Sequence, residues 1–250
     1  MSQAQNIARL EAYDAPRPSH DLNVRRVRLL SAARACIDAD GEQKIRGPLQ
    51  AVVSAAGVLR DQVTATQAAQ LDSIASLAAQ SDGMVRDLID FIRSTAGGIT
   101  VSRRRIDLKI LCERVIDAFQ TSHPDRPIVF TSQRHVEGDW DPDAIETLLT
   151  KLLLNAVAFG LARPAVKVDL RMFPGAAILD VWSAGPLPDR EVPARLFEPF
   201  VSGAATIAQP RVGLGLGLYL ALEIARAHGG WMDVQSHDTG TTFRASLPCN

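Results

Sequence analysis

The sequence predicts an α+β protein in which an N-terminal antiparallel helical hairpin, paired with a second copy into a dimeric four-helix bundle, precedes an α/β sandwich. Two observations carry that reading. Between Ile45 and Ile92 apolar residues recur in alternating steps of three and four, the rhythm of helices packed along a seam. After Ala96-Gly97-Gly98 the rhythm gives way to short strand-length runs, helix-length apolar stretches and Gly/Pro turns. The change divides the chain into a leader over 1–21, a hairpin over 22–96 and a second domain over 97–250.

Met1 to Asp21 is polar and carries Pro16 and Pro18, a loose leader, so order is expected to begin near Leu22. In the first helix Ile45, Leu49, Val52, Ala56, Leu59 and Val63 form the apolar stripe. In the second, Leu71, Ile74, Ala78, Ser81, Val85, Leu88 and Ile92 repeat it, with Thr64 to Gln67 as the connection. Two helices alone cover such stripes poorly, so a homodimer is expected. Beyond the glycines, Ile106 to Phe119 reads as a helix, Ile128 to Thr131 as a strand and Pro142 to Phe159 as a helix. Val166 to Met172 and Ala177 to Trp182 read as strands paired around Pro174-Gly175. A helix from Leu216 to His228 stops at Gly229-Gly230, and strands Trp231 to Gln235 and Thr241 to Leu247 turn at Asp238-Thr239-Gly240. The sheet is expected to be covered by helices on one face.

Composition narrows the function classes. A formal net charge of -1 and a pI near 6.5 leave no electrostatic footprint for nucleic acid or an anionic membrane. The apolar stretch Leu148 to Phe159 is too short to span a bilayer and contains Lys151. Cys36, Cys112 and Cys249 lie far apart, which suggests neither a zinc knuckle nor a disulfide framework and fits a reducing cytosol. With no signal pattern at the N-terminus, a cytoplasmic location is expected. Fewer than about fifty residues precede Gly47-Pro48, less than a typical sensor domain, so input is expected from a partner, the leader or a bound nucleotide. Trp140, Trp182 and Trp231 at strand edges and ends read as packing residues. His228 suits the negative end of its helix, and His123, His135 and His237 read as loop positions without ligand-like neighbours, so none is assigned a metal.

Three stretches carry candidate chemistry. In Gly213-Leu214-Gly215-Leu216-Gly217-Leu218 the glycines leave backbone N–H groups bare at the start of a helix, an arrangement that favours phosphate. Upstream stand "LFEPF" at Leu196 to Phe200 and "LLTKLLLNAVAFG" at Leu148 to Gly160. In "EQKIRGPLQAVVSAAGVL", Glu42 to Leu59, a Gly47-Pro48 pair interrupts the helical rhythm, and proline there removes an amide donor and kinks the helix.

In order and spacing these stretches resemble the boxes of bacterial sensor histidine kinases, within the GHKL ATPase superfamily, from about Arg46 to Pro248. The resemblance implies a dimerisation and phosphoacceptor hairpin followed by an ATP-binding domain that takes ATP or ADP with Mg²⁺. It places Asn155 as the Mg²⁺ ligand, Lys151 one turn earlier beside the phosphates, and Ser183 where an aspartate would accept from adenine. Gly185, Gly213, Leu214, Gly215, Leu216 and Gly217 complete the nucleotide site. Ser183 offers a neutral oxygen on a shorter arm, and losing a charge-assisted bond costs about 1.5–3 kcal/mol, so weakened nucleotide binding is expected.

Aligned on the family's His-Glu/Asp-Leu-Arg-x-Pro-Leu box, Gln43 stands where the phosphorylated histidine belongs and Lys44 where its acidic partner belongs. A carboxamide is neither base nor useful nucleophile, so the resemblance implies a protein without autophosphorylation. It would act by binding a response-regulator receiver domain or another kinase through Gln43, Lys44, Arg46 and Leu49. Ser19-His20-Asp21-Leu22 copies the start of the box but lacks Arg-x-Pro and lies a segment too early relative to Asn155. An active kinase using His20 and a phosphotransfer scaffold with a purely structural ATP domain are the alternatives.

Overall fold

The computed structural model describes residues 39–60, 62–133, 135–187, 195–201 and 213–249. The leader, the onset near Leu22, His20 and Cys36 lie outside them. Helix α1 (Ala39–Arg60) runs through Pro48 and α2 (Ala65–Gly97) returns beside it. Pro48 has no N–H, so it cannot donate the backbone hydrogen bond that any other residue would make one turn back in the helix. Thr64 to Gln67 is the start of α2 rather than a connection. The Gln67 side-chain oxygen accepts from the Thr64 backbone N–H at 3.1 Å and from its hydroxyl at 2.9 Å, which closes the helix start.

The hairpin seam keeps Leu71, Ala78 and Val85 of the expected second stripe and replaces Ile74, Ser81 and Leu88 by the residues that follow them. The residues of α2 that face α1 are Leu71, Ala75, Ala78, Asp82, Val85 and Ile89, while Ile74, Ser81 and Leu88 are exposed. On α1 the inward line is Arg46, Leu49, Val53 and Ala56, while Ile45, Val52 and Leu59 point outward at intervals of seven. Both inward lines keep the heptad step; each includes a charged residue that apolar periodicity passes over.

The second domain begins with β1 (Arg104–Asp107), α3 (Leu108–Ser122), β2 (Ile128–Ser132), β3 (Glu137–Trp140) and α4 (Pro142–Phe159). It continues with β4 (Val166–Phe173), β5 (Ala176–Ala184), α5 (Gly217–Ala227), β6 (Trp231–His237) and β7 (Gly240–Pro248). Five strands form one sheet in the order β2-β4-β5-β7-β6, antiparallel except for the β2–β4 pair. The sequence does not indicate that parallel edge; α4 is the crossover that makes it. Four-residue strands β1 and β3 pair separately, so Ile106 and Asp107 are strand rather than helix, and α3 starts at Leu108 under an Asp107 cap.

One face of the sheet receives the helices. Leu148, Leu149, Leu152 and Leu153 of α4 are fully buried together with Val168, Leu179, Phe243 and Leu247 of the strands. The opposite face is polar: Asp180 accepts from Arg244 at 2.7 and 2.8 Å and from Arg171 at 2.5 Å, and Lys167 lies 4.8 Å over the Trp182 ring. Trp140 is buried and its indole N–H donates to the Pro248 carbonyl at 2.9 Å, the packing role its position predicts.

Candidate functional site

The glycine run lies on the Leu196–Phe200 turn. Phe200 takes φ 64° and its N–H donates to the Gly215 carbonyl at 3.0 Å. Gly215 is at φ 70°, and a Cβ there would stand 2.7 Å from the Val201 carbonyl oxygen, so both conformation and space require glycine. The chain then enters α5 at Leu216, a buried apolar N-cap with no side-chain acceptor for the first amide groups. Those N–H groups are the donors that a phosphate would meet.

Across from α5, Lys151 and Asn155 share one face of α4, a turn apart and both half-buried. A Cβ on Gly217 would lie 3.8 Å from Lys151 Cδ, so the lysine stem passes the start of α5. Its ammonium is ion-paired with Asp87 of α2, with only 13% and 16% of the two side chains exposed. At the far end of α4, Gly160 meets the end of β5: a Cβ there would stand 2.8 Å from Ser183 Cβ and 2.3 Å from the Ala156 carbonyl. The Leu161 N–H donates to the Ala184 carbonyl at 2.8 Å. The fold thus sets Gly217 beside the middle of α4 and Ser183 beside Gly160 at its end. Lys151 belongs to that middle stretch, but is turned to a partner on the hairpin that the sequence does not announce.

The hairpin docks on this region. Phe91 of α2 is 5.0 Å from the Phe200 ring at 73° and 5.5 Å from Tyr219 at 65°, over buried Leu216 and Leu220. Beside it, burial raises the carboxyl pKa of Asp90 against the opposing pull of Lys151 and Arg93. A cleft of about 630 Å³ opens between the end of α2 and the starts of α4 and α5, lined by Asp90, Arg93, Asp143, Thr147 and Leu220. None of the glycine-run residues lines it.

At the Gly47-Pro48 box, Gln43 and Lys44 are exposed and Leu49 is half-buried. Arg46, expected to meet a partner, is instead used inside the hairpin. It donates to Asp82 at 2.8 and 3.2 Å and to Glu42 at 2.7 Å; Arg86 holds Asp82 at 2.8 Å and Arg93 holds Glu42 at 2.8 Å. The Arg46 bonds are the main reason that the carboxyl pKa values of Asp82 and Glu42 are lowered, and Asp82 in turn raises that of Arg46. The network locks α1 to α2 beneath the exposed pair. Asp82, Asp87, Glu42 and Phe91 are the residues that sequence reasoning missed.

Two histidine readings change as well. His228 is 1% exposed; its Nδ1 donates to the Ile224 carbonyl at 2.8 Å and its Nε2 accepts from the Asp141 N–H at 3.1 Å. Desolvation lowers its pKa, so it is a neutral link between α5 and α4 rather than a cation on a helix dipole. His135 does have carboxylate neighbours: Asp107 lies 3.2 Å from its Nδ1, with Glu137 close by. Asp107 already accepts from the N–H groups of Lys109 and Val136, and Glu137 pairs with Arg105. Burial pushes the Cys112 thiol up to about 12, which leaves it an inert core residue.

Residues 140–250 match the family model described as histidine kinase-, DNA gyrase B-, and HSP90-like ATPase. Over 205 residues the chain is 30% identical to a bacteriophytochrome of Pseudomonas aeruginosa, covering 82% of this chain and 28% of that protein. The chain belongs to the sensor histidine kinase family. It spans less than half the length of the first curated relatives that it matches. Among solved structures, full-length ShkA in complex with AMPPNP superposes with a TM-score of 0.67 at 24% identity, over 84% of this chain and 45% of that one. Histidine kinase ThkA in complex with response regulator protein TrrA gives 0.60 at 15% identity, over 91% and 66%. These structures share the fold of the hairpin and its ATPase domain.

Within that family the site fits a nucleotide better than it fits a divalent cation. The start of α5, where the N-cap offers no side-chain acceptor, and the nearby lysine suit phosphate oxygens. A magnesium ion requires a near-octahedral shell of oxygens, and α4 presents one neutral carboxamide at Asn155 with a cation one turn away.

Proposed function

We propose that this chain is a two-component signalling protein of the histidine kinase type that acts by docking a response-regulator receiver domain or another kinase, without phosphorylating itself. The observation that carries the reading is the Gly47-Pro48 box: a carboxamide stands at the phosphoacceptor position, exposed with Lys44 on a surface made rigid by the Arg46–Asp82–Glu42 network. Among the described residues the histidines are His123, His135, His228 and His237, all in the second domain. Gln43, Lys44 and the edge of Leu49 form the docking face, and Arg46 supports it from behind. That a relative of the same fold is solved with a response regulator supports this class of partner.

The outward stripe of Ile45, Val52, Leu59, Ile74 and Leu88 is the surface through which two hairpins pair into a four-helix bundle. The sandwich takes ATP or ADP at the glycine run, with Asn155, Ser183 and Gly185 as further contacts. Among the described residues no helix is long and apolar enough to cross a membrane, and the proposed site of action is the cytoplasm. Incubation with γ-labelled ATP and Mg²⁺ tests the central point. No label is expected; acid-labile, base-stable label on the chain would overturn the reading in favour of an active kinase.

A further inference from the structure

We infer that Lys151 takes the place of a divalent cation, so that the site at the start of α5 binds a nucleoside di- or triphosphate without Mg²⁺, in competition with Asp87 of the hairpin. This rests on the nucleotide part of the proposed function and specifies its chemistry. Lys151 is on the face of α4 that carries Asn155, and its stem runs past Gly217, the first residue of α5. The stem thus passes in van der Waals range of the α5 start, where the N-cap residue offers no side-chain acceptor to the first amide groups. Phosphate oxygens would therefore meet a fixed positive charge and backbone donors from one side, the two features a bound metal ion and helix start otherwise supply together.

The second step is charge balance. A metal ion seated by Asn155 would have the Lys151 ammonium for a neighbour and no carboxylate of α4 within a turn to offset the repulsion, Asp143 and Glu146 being at the other end of the helix. The carboxylates that approach the lysine come from α2. Asp87 pairs with it directly, and Asp90 is close enough for the lysine to act on its titration. Asp87 is thus a stand-in anion: it holds the ammonium in place, largely out of water, until a phosphate replaces it. The exchange keeps the ammonium paired but leaves the Asp87 carboxylate, only 16% exposed, without its partner, a cost that is relieved if the hairpin lifts away.

The third step concerns the hairpin. Asp87 and Phe91 are one turn apart on α2, so the ion pair and the Phe91–Phe200–Tyr219 contact belong to one docking surface. A nucleotide that takes Lys151 from Asp87 removes the polar half of that surface. Binding of phosphate and seating of the hairpin are consequently opposed.

Titration of the full chain with a fluorescent ADP analogue, in excess EDTA and again in millimolar Mg²⁺, tests the inference. Affinities that agree within about threefold in the two buffers are expected, whereas loss of about tenfold or more on removing Mg²⁺ would overturn it. Asp87→Asn is expected to tighten binding about three- to tenfold in both buffers, because the competitor is weakened; unchanged or weaker binding refutes the competition. Lys151→Asn should weaken binding in EDTA by about tenfold or more, and Lys151→Arg should restore it. Thermal melts of each variant establish that it is folded. Binding that needs Mg²⁺ would refute the role of Lys151 and leave a nucleotide-binding docking protein. No binding in either buffer, with Asp87→Asn included, would refute both the inference and the nucleotide part of the proposed function.

Discussion

In the hairpin, charged residues share the seam with apolar ones while further large apolar side chains lie outside; in the sandwich the core is apolar and the charges lie on the outer face. Arg46 and Asp82 meet between α1 and α2 while Ile45 and Val52 are half or nearly half exposed at 50% and 42%. Across the sheet, Val168, Leu179 and Phe243 face the helices, and the charges of Arg171, Asp180 and Arg244 form a lattice on the outer face. The sandwich encloses its own core, so its stability is internal. The hairpin spends seam positions on a polar layer that fixes how the two helices align, and leaves apolar area for another molecule to cover.

The contrast breaks most visibly in the sandwich. Leu149→Ala removes side-chain volume from a site with no exposure and should cost about 3 kcal/mol, read as a lower urea midpoint with loss of sheet signal. If the α4 core were loosely packed, the midpoint would hardly move. In the hairpin, Asp82→Ala leaves the Arg46 guanidinium without its main partner and should cost about 2 kcal/mol, less than for a fully buried pair because both groups touch solvent. The double change Arg46→Met with Asp82→Leu should recover most of that loss, since apolar seam residues need no partner. A double variant as unstable as the single one would show that the network supports more than its own charges.

Acid sharpens the comparison. The pKa values of Asp82 and Glu42 are lowered in the folded chain, chiefly by Arg46, so their contribution is present above the ordinary carboxylate range and is lost as pH falls through the lowered values. Denaturant melts at pH 7, 5, 4 and 3 are expected to show the hairpin weakening below about pH 4 and little change above about pH 5. Asp82→Asn should flatten that dependence. A hairpin that weakens already between pH 7 and 5 would point to a different group. The smallest effect on the protomer is predicted for Val52→Glu: within about 0.5 kcal/mol for the sandwich, because the site is exposed and remote from its core. The same variant should halve the mass seen by light scattering if hairpins pair through the outward stripe; an unchanged dimer would place the interface elsewhere.

How much was legible depends on whether a residue's role is local. Helices α4 and α5, the β4–β5 and β6–β7 hairpins and the glycine run follow from periodicity and turn chemistry over neighbouring residues. The α2 seam did not, because Asp82 occupies a heptad position and an apolar count slides past it to Ser81. Strands β1 and β3 are four residues each and largely charged, so no alternation reveals them. His135 and His228 acquired their neighbours from Asp107 and Asp141, residues distant in the chain.

By itself the sequence determined the inventory: a heptad hairpin, a sheet domain with a glycine run at a helix start, and Gln43 and Lys44 a turn before Gly47-Pro48. Those are properties of side-chain chemistry and of spacing along the backbone. Only the tertiary structure decided that Arg46 is consumed by Asp82 and that Lys151 leans on Asp87. An ion pair depends on distance in space, and chain segments 36 and 64 residues apart come within reach only once the helices have packed.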